Sequence, residues 1–152
     1  MRSKVWLLVL STAAAGYASG QEIEKFDGTW DATVVCHPTV VGNRQVKPFA
    51  HQMTGVVLKG QFAAVIGTEG KPGWSYLHGP LDSQGNALLR YDTLLSNTAL
   101  SIDPALKVGD KITWQATAKF GPVSGSGKRL GGRDCDLSFA KRGPSKEHGK
   151  AR

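Results

Sequence analysis

The residues with the most specific chemistry are two cysteines, Cys36 and Cys135. Each falls on the apolar face of a predicted strand, and in an exported chain two cysteines predict one disulfide. It would close a loop of about 100 residues, for which the chain-entropy model gives roughly 4.7 kcal/mol. The alternative is a metal site that uses Cys36, His37 and Cys135, but no second ligand pair has zinc-like spacing. The sequence therefore predicts a disulfide and no metal.

Histidine is the usual general base, but no catalytic arrangement is recognisable here. The histidines are His37, His51, His78 and His148. His51 shares a face with Phe49 and Met53, which favours a buried or rim histidine over a base. No serine or aspartate stands in a nucleophile motif. We predict no catalytic residue and no enzyme, and a hydrolase with an unrecognised site stays a second alternative.

The glycine-rich run 121–129 has the composition of a phosphate-binding loop but not its spacing. Pro122 stands where the first glycine of that motif is needed, and Arg129 replaces the Ser or Thr that should follow Lys128. No helix is predicted after the run, so no helix N-terminus could receive a phosphate. The sequence predicts no nucleotide and no other cofactor.

Aromatic side chains are the best candidates for a ligand surface. Trp74 and Tyr76 share a strand face with His78, and Tyr91 lies on the next predicted strand. If Leu77 points inward, the Trp74 face is exposed and favours a protein or glycan partner. With the opposite phase, the same rings line the interior and favour a small apolar ligand. The sequence leaves both possibilities open.

The first and last predicted strands position these residues. In the stretch 26–36, apolar side chains alternate with polar ones, and the same period recurs from Cys135 to Phe139. Antiparallel pairing of Cys36 with Cys135 sets Val34 against Leu137 and gives every apolar residue an apolar neighbour. The two strands are therefore predicted to lie side by side.

Six more strands are predicted between them, mostly joined by tight turns, and no amphipathic helix. Their ranges are 49–59, 61–67, 74–81, 86–95, 111–120 and 124–130. Residues 37–48 are predicted as a loop, and 96–110 as the longest connection, with a helical turn near Pro104. About eight antiparallel strands indicate an all-β domain. The pairing of the first strand with the last favours an up-and-down β-barrel. A two-sheet β-sandwich is the alternative.

Residues 1–20 are predicted to be a signal peptide, residues 21–140 the barrel-like domain and residues 141–152 a disordered basic tail. Arg2 and Lys4 precede an apolar run of about 11 residues, too short for a membrane span of about 20. The formal net charge is +7, of which the leader holds two units and residues 141–152 four, leaving +1 on the body. We therefore predict a secreted or periplasmic protein with no nucleic-acid partner and no stable membrane insertion. The oligomeric state is left open.

The start of the first strand resembles a known signature. Gly28-Thr29-Trp30 resembles the Gly-x-Trp motif of the lipocalin and avidin-like barrels, the calycin group. In that group a basic side chain near the last strand covers the tryptophan, which implies Lys141 or Arg142 in that role here. Gly28 would let the backbone enter the barrel tightly. The resemblance implies a carrier of a small hydrophobic molecule.

The chain after residue 20 also resembles a group of small secreted proteobacterial proteins. These open with Phe-Asp-Gly-x-Trp and a cysteine, and they close with a cysteine and Phe-x-Lys/Arg. This second resemblance implies no activity. The first functional hypothesis is therefore a non-enzymatic binding or envelope-associated module, and the calycin-like carrier is the alternative.

Overall fold

The computed structural model describes residues 22–143, and eight of its ten strands close into an antiparallel barrel. Around the barrel the order is β1, β10, β9, β8, β7, β6, β5, β4, and β4 pairs with β1. The predicted all-β, antiparallel, eight-stranded barrel is confirmed. The strands are β1 Gly28–Cys36, β2 Thr39–Val41, β3 Arg44–Val46, β4 Phe49–Leu58, β5 Gln61–Ile66, β6 Ser75–Pro80, β7 Asn86–Leu94, β8 Lys111–Phe120, β9 Ser124–Arg129 and β10 Cys135–Lys141.

The seam between β1 and β10 has the predicted register. Cys36 lies opposite Cys135 and Val34 opposite Leu137 along seven paired positions. Cys36 and Cys135 form a disulfide, so both sulfurs are engaged and the alternative metal site is excluded. The register holds because a shift of one residue would turn every inward apolar side chain to solvent.

Two local predictions were wrong. Residues 37–48 are not a simple loop, because β2 and β3 form a hairpin around the 42–43 turn. Its residues are mostly exposed, so no alternation of burial marked these strands in the sequence. In the 95–110 connection the helical turn is a 3-10 helix at Thr98–Leu100, not at Pro104. Its N-terminus is capped by Asn97, whose side chain accepts from the Ala99 N–H at 2.9 Å.

The interior is solidly filled at the end where β1 begins and β10 ends, here called the closed end. Phe120 is the centre of an aromatic cluster, with ring centroids 5.2 Å from Trp30, 5.5 Å from Phe62 and 4.4 Å from Phe139. All four side chains are almost fully buried. Edge-to-face and tilted aromatic pairs of this kind add to the stabilisation from apolar burial.

Residues 22–27 cover the closed end. Phe26 is buried, and its carbonyl accepts the Trp30 indole N–H at 2.9 Å. Lys141 donates its ammonium to the Lys25 carbonyl at 3.1 Å and lies 5.8 Å from the Trp30 ring centroid. The closed end is therefore shut by the segment before β1 together with the last residue of β10.

The predicted signal peptide and most of the predicted basic tail lie outside the described residues. Across residues 22–143, no helix has the length and apolar composition needed to cross a membrane. In the same range, no group of three or more His, Cys, Asp or Glu side chains could hold a metal ion.

Candidate functional site

The other end of the barrel, where β1 ends and β10 begins, contains a cavity of about 200 Å³. We call this end the mouth and its cavity the mouth cavity. Most of its lining is apolar or aromatic and comes from inward side chains of β4, β7 and β8 and from the 95–110 connection. Its lining residues are Phe49, His51, Thr93, Leu95, Ser96, Leu100, Ser101, Ile102, Asp103, Leu106, Ile112, Trp114, Arg129 and Arg133.

The loops around the mouth are tied to one another by hydrogen bonds. Arg44, on the β2–β3 hairpin, donates to the Ser101 carbonyl at 2.8 Å, and the Lys47 N–H donates to the Ala99 carbonyl at 2.9 Å. These bonds hold the 95–110 connection against the residues that precede β4. The cavity wall contributed by that connection is therefore held by the β2–β3 hairpin and by Lys47.

Stacked rings form one wall of the mouth. Phe49 and His51 have centroids 4.9 Å apart, and His51 and Tyr91 are stacked at 6.5 Å. Tyr91 is in turn stacked on Trp114 at 4.4 Å. The guanidinium of Arg129 lies 5.0 Å from the Trp114 ring centroid, so the series ends in a cation–π contact.

The rings are also joined by a buried polar network. The Tyr91 hydroxyl and His51 Nδ1 lie 2.6 Å apart, and the Ser75 and Thr93 hydroxyls lie 2.8 Å apart. Burial raises the pKa of Tyr91, hydrogen bonds with Ser75 and Thr93 lower it, and burial dominates, so that the pKa is about 12. Burial also lowers the pKa of His51, so its imidazole is neutral at pH 7. The rings of this wall are thus uncharged and carry a few hydrogen-bonding atoms, and the positive charge beside them comes from Arg129.

Arg133 is a structural arginine that joins the mouth loops. It is buried, and its guanidinium donates to the carbonyls of His37 at 2.8 Å, Leu100 at 2.9 Å, Cys36 at 3.3 Å and Lys47. These bonds link the end of β1, the 95–110 connection and the residue before Pro48. The partners of the Arg133 guanidinium are neutral carbonyls, so its positive charge remains inside the protein although its N–H groups are hydrogen-bonded.

Arg129 projects inward from the last position of β9 and differs from Arg133 in its partners. Its Nε is a buried nitrogen with no hydrogen-bond partner among the residues described, and its Nη1 lies 4.0 Å from the Cys135 sulfur. Burial lowers the pKa of Arg129, and the nearby charge of Arg133 lowers it further.

Trp74, Tyr76 and His78 lie on the outside of the barrel, because Leu77 and Leu81 are buried inside it. The Tyr76 and His78 rings are stacked at 4.2 Å, and Trp74 lies 6.3 Å from Tyr76. We call these three residues the outer strip. Of the four predicted ligand-binding residues, only Tyr91 is at the mouth, where it lies behind His51 and Trp114.

Asp92 is a buried carboxylate on the outer face beside this strip. It accepts two hydrogen bonds from Arg90, at 2.9 and 3.0 Å, and one from Thr113 at 2.6 Å. Lys111 and His78 approach it at 3.3 and 3.5 Å. Burial raises the pKa of Asp92, but the hydrogen bonds outweigh it and hold the pKa below its usual range.

The residues predicted to close the barrel have different roles. Lys141 is the basic side chain that lies over the Trp30 ring. A Cβ at position 28 would lie only 3.0 Å from the Lys141 Cε, so glycine leaves room for this side chain. Arg142 instead points to the outer face, where it donates to Asp31 at 2.6 and 3.0 Å and to Thr54 at 2.8 Å. Closure at Trp30 therefore involves Gly28 and Lys141, and not Arg142.

The histidines do not assemble a serine-hydrolase site within residues 22–143. His37 pairs with Asp136 at 2.6 Å and His78 with Asp92 at 3.5 Å, both on the outer face. His51, the histidine of the mouth, contacts a tyrosine hydroxyl rather than a carboxylate. What the mouth offers chemically is apolar contact, a few hydrogen bonds and positive charge.

Sequence reasoning missed Arg129 and Arg133 as residues of the mouth. For Arg129 a signal existed, because it shares the strand face of Gly125 and Gly127, which pack closely on β8 and β10. For Arg133 no periodic signal existed, because it lies in a turn between strands.

Comparisons of the chain with protein-family models, with curated proteins and with solved structures found no match. The resemblance to calycins and to small secreted proteobacterial proteins stays a prediction. The function is therefore inferred from the geometry of this chain.

Proposed function

We propose that this protein is a secreted or periplasmic, non-enzymatic binding protein that holds a small apolar molecule in the mouth cavity. The observation that carries the proposal is an apolar, aromatic-lined cavity of about 200 Å³ at one end of a barrel whose other end is filled. Concave apolar sites with a few polar groups are typical of small-molecule binding. The disulfide is compatible with an oxidising compartment.

The size of the cavity limits what it can hold. Drug-sized ligands occupy sites of about 300–1,000 Å³, whereas a dry cavity of about 150 Å³ accepts benzene. A volume of about 200 Å³ therefore suits a molecule with a single ring or a short aliphatic chain. The aromatic side chains of Phe49, His51 and Trp114 in the lining favour an aromatic ring.

The proposal is tested by titrating ¹⁵N-labelled protein with two neutral one-ring probes, indole and 4-ethylphenol. Amide shifts should concentrate at residues 95–106 and at the mouth ends of β4 and β8. Ile102→Trp places bulk into the cavity and should weaken binding at least tenfold. Val108→Trp is the matched control, because Val108 is on the same connection, is exposed and does not line the cavity.

Two results would contradict the proposal. The first is that neither probe shifts the mouth amides at millimolar concentration. The second is that Ile102→Trp binds both probes as tightly as the natural chain does. A loss of binding in Val108→Trp equal to that in Ile102→Trp would show that the connection was disturbed rather than the cavity filled.

The outer strip supports a second candidate function, recognition of a protein or glycan. The specific observation is the half-exposed stack of Tyr76 on His78 with Trp74 alongside. Adding cellohexaose or chitohexaose to the same labelled sample tests the glycan case. Shifts confined to β6 would support this candidate, and shifts confined to the mouth or absent altogether would count against it.

A further inference from the structure

Two arginines place positive charge beside an otherwise largely apolar cavity. Arg129 and Arg133 both line the mouth cavity, and the ion pairs found among the described residues involve neither of them. The one carboxylate in the lining, Asp103, is exposed and accepts the Ala105 N–H at 2.9 Å. Within residues 22–143, the two guanidinium groups therefore have no ion-pair partner.

The two arginines are not equivalent as ligand contacts. The Arg133 donors are taken up by four backbone carbonyls, so it contributes charge but has little capacity for another bond. Arg129 makes no hydrogen bond to a described oxygen and has the unsatisfied Nε. Because Tyr91 stacks on one face of Trp114, the Arg129 guanidinium covers the other face and itself forms part of the cavity lining.

An arginine cannot relieve this situation by losing its proton, because it stays charged in proteins. Each guanidinium is partly removed from water, and the two charges repel each other, as the lowered pKa of Arg129 reflects. An anion in the cavity would offset both effects. A planar carboxylate matches the guanidinium geometry and forms charge-assisted hydrogen bonds, which are stronger than neutral ones.

We propose that the ligand of the mouth cavity is a small aromatic or short aliphatic acid, whose carboxylate is bound by Arg129 while its apolar body contacts the ring wall. This inference rests on the proposed function and names the ligand class of the same site. Arg133 reinforces binding through its charge, and Arg129 determines the preference for an acid over a neutral compound.

The experiment compares three probes of nearly equal shape and different charge: 4-ethylbenzoate, 4-ethylbenzamide and 4-ethylbenzylamine. Dissociation constants are measured by NMR titration at pH 7.5 for the natural chain, Arg129→Met and Lys128→Met. Lys128 is the matched control, because it also loses one positive charge but points outward from the neighbouring position of β9. Charge-assisted hydrogen bonds of roughly 1.5–3 kcal/mol correspond to a preference of about tenfold or more.

The natural chain should bind the benzoate at least tenfold more tightly than the benzamide, and the benzylamine most weakly. Arg129→Met should lose most of the preference for benzoate over benzamide, because only the charge of Arg133 remains, while Lys128→Met keeps the preference. Equal binding of benzoate and benzamide by the natural chain would overturn the acid proposal and leave the apolar site standing. An undiminished preference in Arg129→Met would also overturn it. Failure of all three probes to bind would overturn the proposed function as well. The comparison within the natural chain needs no variant, so it decides the matter even if Arg129→Met does not fold.

Discussion

Removal of the Cys36–Cys135 disulfide tests how the barrel is stabilised. The two cysteines are 99 residues apart in sequence, so they close a loop of 100 residues. For that length the chain-entropy model gives about 16 cal/mol/K, which is roughly 4.7 kcal/mol at 25 °C, as an upper value. The β1–β10 register does not depend on the sulfurs, because its other six paired positions remain. We therefore expect the folded barrel to persist and the loss to arise mainly in the unfolded chain.

The assay is urea unfolding of the natural chain, Cys36→Ala, Cys135→Ala and the double variant. Each single variant should lose about 3–5 kcal/mol of unfolding free energy. The double variant should lose about as much as either single, because one substitution already removes the whole cross-link. The slope with urea should increase, because the unlinked chain exposes more surface when unfolded. A loss below about 1 kcal/mol, or additive losses in the double variant, would refute this reasoning.

Two further predictions concern the outer face and the closed end. Because the pKa of Asp92 is lowered on folding, its ionised carboxylate contributes stability that is fully present above about pH 4 and is lost progressively as the pH falls below 4. Asp92→Asn should lower the free energy of unfolding by roughly 1–3 kcal/mol at pH 7, because the Arg90 donors lose their carboxylate partner. The unfolding free energy of the variant should also fall less steeply with acid than that of the natural chain. Parallel acid profiles for the two proteins would contradict this. Gly85→Ala should unfold at lower urea than Gly42→Ala, because both have positive φ but a Cβ at Gly85 would lie within 3 Å of the Phe120 carbonyl, whereas Gly42 faces open space. Equal midpoints for the two variants would show that the close contact at Gly85 relaxes at no cost.

The seam could be predicted because a strand with one buried face has only one good register. Val34 and Leu137 are both fully or nearly fully buried, so any other pairing would expose one of them. The β2–β3 hairpin could not be predicted in the same way. Val40 is exposed and its neighbours are not consistently buried, so the hydrophobic period that marks the barrel strands is missing there.

The candidate site was only partly predictable. The sequence singled out Tyr91 and the long 96–110 connection, but the mouth cavity depends on how far side chains from different strands reach across the barrel. Arg129 shares a strand face with Gly125 and Gly127, but a face with no large apolar residue is a weak signal that its charge lies inside. The orientation of Tyr76 depended on which strand face packs on the core, and the burial of Leu77 determines it.

The seam has a practical consequence for handling the molecule. Since β1 starts and β10 finishes at the pole opposite the mouth, an attachment made just before β1 or just after β10 leaves the opening unobstructed. A fluorophore, a surface linker or a fused partner placed after Arg142 would project away from Trp114 and Arg129.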